Sequence, residues 1–167
     1  MFKRIDSKLL QINPFNLISS NWMLISTGNK DKFNAMTASW GGFGFIWNKN
    51  VTFCFIRPQR YTYELIENND YYSFNFFDEE YKKVLEKCGS VSGRDVDKIK
   101  ENNLHPTVHE SGAIYFEESK LVVVSKKLYF QDINPNQLID SSIDRMFYPN
   151  KDYHRMYIGQ VIEILEK

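Results

Sequence analysis

Cysteine is scarce in this chain of 167 residues, and the two present, Cys54 and Cys88, have no CxxC spacing. That removes the usual thiol-built zinc and disulfide-exchange centres from consideration. Cys54 stands in the apolar run Val51 to Ile56, where a buried reduced thiol is expected rather than a disulfide or redox centre. Excess charge of either sign is also missing: 21 Lys and Arg balance 21 Asp and Glu, for a formal charge of zero, and there is no long basic run. Nucleic acid and anionic membranes therefore have no electrostatic footprint on this chain. No apolar run approaches the roughly 18 residues of a membrane-spanning helix. The opening MFKRIDSKLL is too polar for a secretory signal. These absences give the expectation of a soluble, cytoplasmic protein. Internal repeats, low-complexity segments and linkers are lacking too, so one domain over residues 1–167 is expected.

Motifs for side-chain catalysis are equally thin. Histidine occurs three times; His105 and His109 flank Pro106, but no third ligand is spaced to complete a metal site. Ser39, Asp152 and His154 supply the residue types of a hydrolytic triad without a nucleophile-elbow context. No GxGxxG fingerprint is present, so a pyridine nucleotide would have no dinucleotide-binding domain of its own.

Aromatic residues are abundant: 13 Phe, 10 Tyr and 3 Trp make up 16% of the chain. Such residues pack well on pleated surfaces and can also cover a flat ligand. Asn21 to Gly28 reads as a strand followed by the turn GNKD, with Phe33 to Ser39 as its partner. Gly41, Gly42 and Gly44 suggest a glycine bulge at a barrel corner. Val51 to Arg57 reads as a central strand stopped by Pro58, and Tyr72 to Phe77 as another strand. Thr62 is a plausible cap for a short helix over Tyr63 to Asn68, and Asp78 for a helix over EEYKKVLEKC. A short helix around Asp95 to Asn102 and strands at Leu121 to Tyr129 and Tyr157 to Leu165 follow. Asn134 to Lys151 reads as loop, with a helical turn after Pro135. Six or seven strands with two or three short helices, and no strand-helix alternation, predict a mainly β chain. Its natural architecture is an antiparallel barrel with peripheral helices.

Phe33 to Arg57 mixes an Asn, small hydroxyls, a Trp and three glycines with a strand ending on arginine. Ordinary core packing does not call for that mixture. Asn34, Thr37 and Ser39 alternate with Ala and Met, so one edge could offer hydroxyls and amides to a ring, and Trp40 could line its slot. Arg57 and Arg60, with Thr62 at a helix start, suit phosphate oxygens. The competing reading pairs these arginines with Glu64 or Glu67.

Four segments in order carry a resemblance. Asn34-Ala-Met-Thr-Ala-Ser-Trp-Gly41, Arg57-Pro-Gln-Arg-Tyr-Thr62, Ser92-Gly-Arg-Asp-Val-Asp-Lys98 and Tyr153-His-Arg-Met-Tyr-Ile-Gly159 resemble flavin reductase-like proteins, a group that includes flavoredoxins. The resemblance implies an FMN-binding split β-barrel with short peripheral helices. It implies FMN contacts from Asn34, Met36, Thr37, Ala38, Ser39 and Trp40 around the ring, and from Arg57, Tyr61 and Thr62 near the phosphate. Arg60 is a less certain neighbour of the phosphate group. Arg94 and Lys98 are both candidates for the phosphate or the N1–C2 carbonyl region, and the sequence does not choose between them. His154 matches a motif near the flavin pocket and subunit contact. The implied activity is an NAD(P)H-dependent flavin reductase in which the flavin carries the chemistry and no side chain is required as catalyst. An FMN electron carrier reduced by a protein partner is the alternative, and an aromatic-rich barrel binding another ligand a third reading. A homodimer with the flavin near the subunit interface is implied as well.

Overall fold

The computed structural model describes residues 1–167. Its frame is an eight-stranded, wholly antiparallel sheet. The strands are β1 (Lys3–Arg4), β2 (Met23–Gly28), β3 (Phe33–Ala38), β4 (Gly41–Ile46), β5 (Lys49–Ile56), β6 (Tyr71–Phe76), β9 (Leu121–Asp132) and β10 (Arg155–Glu166), with β7 (Pro106–Val108) and β8 (Ile114–Phe116) forming a separate small ribbon. Their order is β3-β2-β6-β9-β10-β5-β4, with β1 on the far half of β10. The sheet wraps around one core: Met36 and Ala38 of β3 share it with Cys54 and Ile56 of β5, although no ladder joins those strands. Phe43 of β4 meets Phe74 and Phe76 of β6 across the interior, with ring centroids 6.2 and 6.3 Å apart. The barrel is thus split between β3 and β4, which the chain links through Ser39 and Trp40 without pairing them.

Sequence patterns account for most of these elements. MLISTG does not alternate because β2 is buried on both faces: Met23 and Ile25 enter the barrel core, while Leu24 joins Ala35, Leu85, Cys88 and Ile99 in a second core outside it. A short first helix, α1 (Pro14–Asn16), precedes β2, and the second core seats α3 (Lys82–Ser90) and α4 (Lys98–Glu101) against β2 and β3. Inside the barrel, Gly159 of β10 allows Tyr72 to approach so closely that a Cβ would lie 2.4 Å from its hydroxyl. That hydroxyl bonds Thr52 Oγ1 at 2.8 Å, which bonds Ser125 Oγ at 2.8 Å, so the buried polar groups are satisfied.

Several expectations change. The glycine segment is not a corner bulge but strand β4, because Trp47 and Asn48, at φ 53° and 57°, close a two-residue hairpin onto β5. The helix after Pro58 is α2 (Tyr61–Glu67); its N-cap is Arg60, and Thr62 lies inside it. Asp78 opens a 3-10 turn, Glu79–Tyr81, before α3 rather than capping the helix by its side chain. The helix expected around Asp95 to Asn102 is α4, capped by Asp97, which accepts from Lys100 N at 3.1 Å. Asn134 to Lys151 contains, besides the turn Pro135–Gln137, the helix α5 (Ser141–Phe147), N-capped by Asp140. No helix is long and apolar enough to cross a membrane.

Candidate functional site

The split in the barrel opens onto two adjoining clefts. One, of about 250 Å³, is walled by Met36, Thr37, Ala38, Ser39, Trp40, Phe55 and His154. The other, of about 410 Å³, is lined by Asn34, Tyr61, Thr62, Ser92, Gly93 and Lys98. Met36, Arg57 and Arg60 belong to both and mark the passage between them. Of the residues anticipated from sequence, only Arg94 lies outside this pair of clefts; it lines a third that adjoins them. Asn34, Met36, Thr37, Ala38, Ser39, Trp40, Arg57, Tyr61, Thr62, Lys98 and His154 are brought together.

The smaller cleft is a slot with a partly aromatic wall. β3 is the last strand of the sheet, so every second amide and carbonyl along it faces away from β2 with no strand to receive it. Asn34 and Thr37 lie on opposite faces of β3, so their side chains do not form one row toward a ligand. Thr37 turns toward α3 and donates to the Leu85 carbonyl at 2.5 Å, with Gly89 packed on it. Trp40 is partly exposed; it meets His154 at 4.8 Å and the ring of Phe147 edge-on at 5.4 Å. His154 Nδ1 lies 2.9 Å from the Tyr148 hydroxyl. Burial, reinforced by the nearby Arg57 guanidinium, pushes the imidazole down to about 4, so it is neutral at ordinary pH.

Arg57 is engaged by protein rather than held free. Its Nη1 contacts Asp152 Oδ2 at 2.5 Å, its Nη2 donates to the Phe147 carbonyl at 2.8 Å, and its guanidinium lies 5.4 Å from the Tyr148 ring centroid. Gln59 donates to the same Asp152 oxygen at 2.6 Å. Arg57 and Gln59 together hold the Asp152 carboxyl below its usual range. For Arg57 the ion-pair reading holds in kind, with Asp152 as the partner rather than Glu64 or Glu67; Arg60 forms no ion pair. Ser39, His154 and Asp152 do not assemble a triad, since Asp152 serves Arg57 and His154 serves Tyr148.

The larger cleft has the character of an anion site. Arg60 donates from Nη1 to the Gly89 carbonyl at 2.9 Å and pairs with no carboxylate. Lys98 is 2% exposed. Its Nζ donates to the carbonyls of Cys88 and Val91 at 2.9 and 3.2 Å, again without a carboxylate. Burial pushes this amine down to about 8, with the Arg60 guanidinium adding to the effect. Arg94, in contrast, pairs with Glu64 at 3.2 Å and donates to the Gln59 carbonyl at 3.1 Å. The structure thus separates two candidates the sequence left equal. Thr62 is fully buried, and its hydroxyl accepts from Asn34 Nδ2 at 2.9 Å. Gly93 closes over that pair so tightly that a Cβ would fall 2.2 Å from Asn34 Oδ1. Asp152 and Tyr148 carry no sequence signal as supports of the site, because their partner Arg57 lies up to 95 residues away along the chain; Gln59 and Gly93 fall within the segments that carry the family resemblance.

His105 and His109, the other two histidines, lie elsewhere. His105 Nδ1 contacts Glu118 at 2.5 Å. His109 Nε2 contacts Glu163 at 2.7 Å, while its Nδ1 accepts from Ser111 N at 3.1 Å. Arg4 bonds both Glu163 and Glu110, so one cation offsets one of the two carboxylate charges near His109.

Comparison with known proteins matches residues 15–165 to the family described as Flavin reductase like domain. Among solved structures, the fold is similar to an FMN-binding protein from Thermus thermophilus at TM-score 0.70 and 16% identity, covering 99% of this chain and 82% of that one. It is similar to a flavoredoxin from Methanosarcina acetivorans at TM-score 0.70 and 20% identity, covering 95% and 75%. An NADH:FAD oxidoreductase from Streptomyces globisporus aligns at TM-score 0.67 and 11% identity, covering 88% and 75%. No curated protein matches the sequence.

Proposed function

This chain belongs to the flavin reductase-like domain family, and from that premise we propose that it binds FMN and acts as an NAD(P)H-dependent flavin reductase. The observation that carries the proposal is the continuity of the two clefts: a slot beside a free strand edge opens, past Arg60, onto two cations without carboxylate partners. Those residues fit FMN. The free edge of β3 offers main-chain donors and acceptors to a heterocycle, Trp40 and Phe55 give it apolar walls, and Arg60 and Lys98 suit a phosphate dianion. FMN held by these residues would supply the redox chemistry, that of a two-electron acceptor for the hydride of NADH or NADPH. The chain's own residues bind, orient and exclude water. Arg57, fixed by Asp152 and the Phe147 carbonyl, braces the junction of the clefts rather than offering a free charge to the ligand. Neutral His154, held against Trp40 and Tyr148, closes one side of the slot without adding charge.

A second copy of the chain is the proposed partner. Phe45 and Trp47 on the β4–β5 hairpin are 67% and 53% exposed. Trp47 meets the exposed Tyr129 of β9, their ring centroids 6.0 Å apart. Exposed aromatic residues clustered in this way fit a homodimer interface. Sedimentation equilibrium should give twice the chain mass, and Trp47→Glu should give the monomer.

The test of function is colour and bleaching. The purified protein, or the apo-protein after FMN addition, should show a flavin absorbance band that bleaches anaerobically with NADH or NADPH. Bound FMN that neither nucleotide bleaches, but that a reduced protein partner does, would assign an electron-carrier role, the reading suggested by the flavoredoxin neighbours. Failure to bind FMN removes both.

A further inference from the structure

His154 is half of a buried pair whose other half, Tyr148, follows directly on α5. Tyr148 is 2% exposed and His154 9%. The Tyr148 hydroxyl and His154 Nδ1, 2.9 Å apart, can share a hydrogen in either of two ways. If Nδ1 carried it, the phenolic hydrogen would need an acceptor elsewhere, and it finds none in the structure. Donation from the hydroxyl to Nδ1 leaves neither buried group unsatisfied. The Arg57 guanidinium, 5.4 Å from the Tyr148 ring centroid, adds to the bias by making the phenol a stronger donor. Burial first, and the same guanidinium after it, keep a second proton off the imidazole. The neutral ring therefore carries its one hydrogen on Nε2. That nitrogen bonds no protein group, yet it is not sealed off, because Asp152 Oδ1 is the one buried side-chain nitrogen or oxygen without a partner. His154 is a wall of the slot, 4.8 Å from Trp40, so its free nitrogen opens onto the ligand space.

We infer that Tyr148 is a positioning residue for the proposed flavin reaction: by donating to Nδ1 it fixes His154 as the tautomer whose Nε2–H is offered into the slot. The inference rests on the flavin reading of the site and deepens it. A flavin ring carries carbonyl oxygens and ring nitrogens as acceptors, and it gains negative charge when it accepts a hydride. An uncharged, oriented N–H donor bonds that charge more strongly as it develops, and gives up no proton in doing so. Orienting an imidazole is commonly the work of a carboxylate. Here the nearby carboxylate, Asp152, is held by Arg57 and Gln59, and the phenol takes its part.

The tautomer can be read without cofactor or turnover, by nitrogen-15 NMR of histidine-labelled apo-protein at pH 7, with His154→Gln identifying the signals of His154. Nε2 should carry the proton and Nδ1 should not, and Tyr148→Phe should raise the share of the Nδ1–H form. FMN and riboflavin should both shift the Nε2–H resonance, whereas inorganic phosphate should not. In Tyr148→Phe the imidazole loses its anchor as well as its tautomer, so kcat for anaerobic bleaching by NADH or NADPH should fall about tenfold. Flavin affinity and the KM for the nucleotide should stay within about twofold. A proton on Nδ1 in the wild type overturns the inference, whether or not the variant folds. An unchanged tautomer in Tyr148→Phe, or a flavin affinity that falls as far as kcat, also overturns it and leaves Tyr148 a packing residue. FMN that binds without moving the Nε2–H resonance overturns the donor role and leaves the FMN reading intact. No binding of FMN at all overturns that reading and the donor role together.

Discussion

Replacing Lys98 by methionine separates a cofactor-phosphate ligand from an amine that is merely buried. In the free protein Lys98 donates to two carbonyls and faces no carboxylate, and burial brings it from an ordinary 10.5 down to about 8. At about 1.4 kcal/mol per pH unit, holding the charged form at pH 7 costs the fold roughly 3 kcal/mol. The sign follows from proton counting. Unfolded Lys98 keeps its proton up to about 10.5 and folded Lys98 releases it near 8. Between those values the unfolded chain binds more protons, so this residue's contribution to stability rises with pH across that window. A phosphate dianion beside Nζ reverses the displacement, because it favours the ammonium. At pH 8 about half of the Lys98 amines are neutral, so binding FMN should take up about half a proton per site. Calorimetric titrations in buffers of different ionisation enthalpy measure that uptake directly. Lys98→Met should abolish it, flatten the rise in stability between pH 8 and 10.5, and weaken FMN by about tenfold to a hundredfold. Riboflavin, which lacks the phosphate, should bind wild type and variant within about twofold of each other. Heats independent of buffer, or equal losses for FMN and riboflavin, would refute the assignment of Lys98 to the phosphate.

Three further outcomes test other parts of the site. Arg60→Ala should lower the ratio of FMN to riboflavin affinity, whereas Arg57→Ala should leave that ratio unchanged and instead destabilise the fold by about 1–3 kcal/mol in urea titrations, through Asp152 and the Phe147 carbonyl. Gly93→Ala must displace the loop by crowding Asn34 Oδ1 at 2.2 Å; flavin affinity measured by fluorescence should fall more than about tenfold. His154 stays neutral in the fold down to about 4 but protonates in the unfolded chain near 6.5, so the stability it confers is whole above pH 6.5 and is lost as pH falls toward 4. The difference in unfolding free energy between wild type and His154→Gln should therefore shrink by up to about 3 kcal/mol over that range.

The strands were legible because their pattern is local. VTFCFI and LVVVSKKLY announce β5 and β9 by composition, and the structure adds only their ends. β4 was hidden for a physical reason. Gly41, Gly42 and Gly44 have little strand preference, yet Gly44 is needed there because a Cβ would meet the Phe53 ring at 2.7 Å. α5 was hidden because its apolar residues Ile143, Met146 and Phe147 remain partly or largely exposed, so no buried stripe marks it. At the site, residue types were legible and partnerships were not. Arg57 and Arg60 look alike in sequence, but β5 delivers Arg57 to Asp152 and the start of α2 delivers Arg60 to the cleft wall. Likewise Arg94 and Lys98 sit four residues apart, and only the fold reveals that Glu64 claims one while the other, free of carboxylates, donates to the Cys88 and Val91 carbonyls at the cleft.

The position of the clefts follows from the split itself. A closed barrel would pair β3 with β4, satisfy the outer edge of β3 and leave a ligand no backbone to bind. Here Ser39 and Trp40 join the two strands covalently while their ladders diverge, so the seam is fixed in place without being sealed. The side chains along it are held from outside the sheet: Thr37 by α3, Asn34 by Thr62 of α2, and Arg57 by the segment after α5. The unpaired edge is therefore rigid before any ligand arrives, and binding need not order it. Strengthening the seam should thus act against the ligand. A substitution that closes it, such as Ser39→Cys with a cysteine on the facing wall at Phe55, should raise thermal stability under oxidising conditions if a disulfide forms, and lower FMN affinity in proportion to the oxidised fraction. Reduction should restore affinity to the unoxidised value. Unchanged FMN binding in the fully oxidised protein would place the ring somewhere other than the seam.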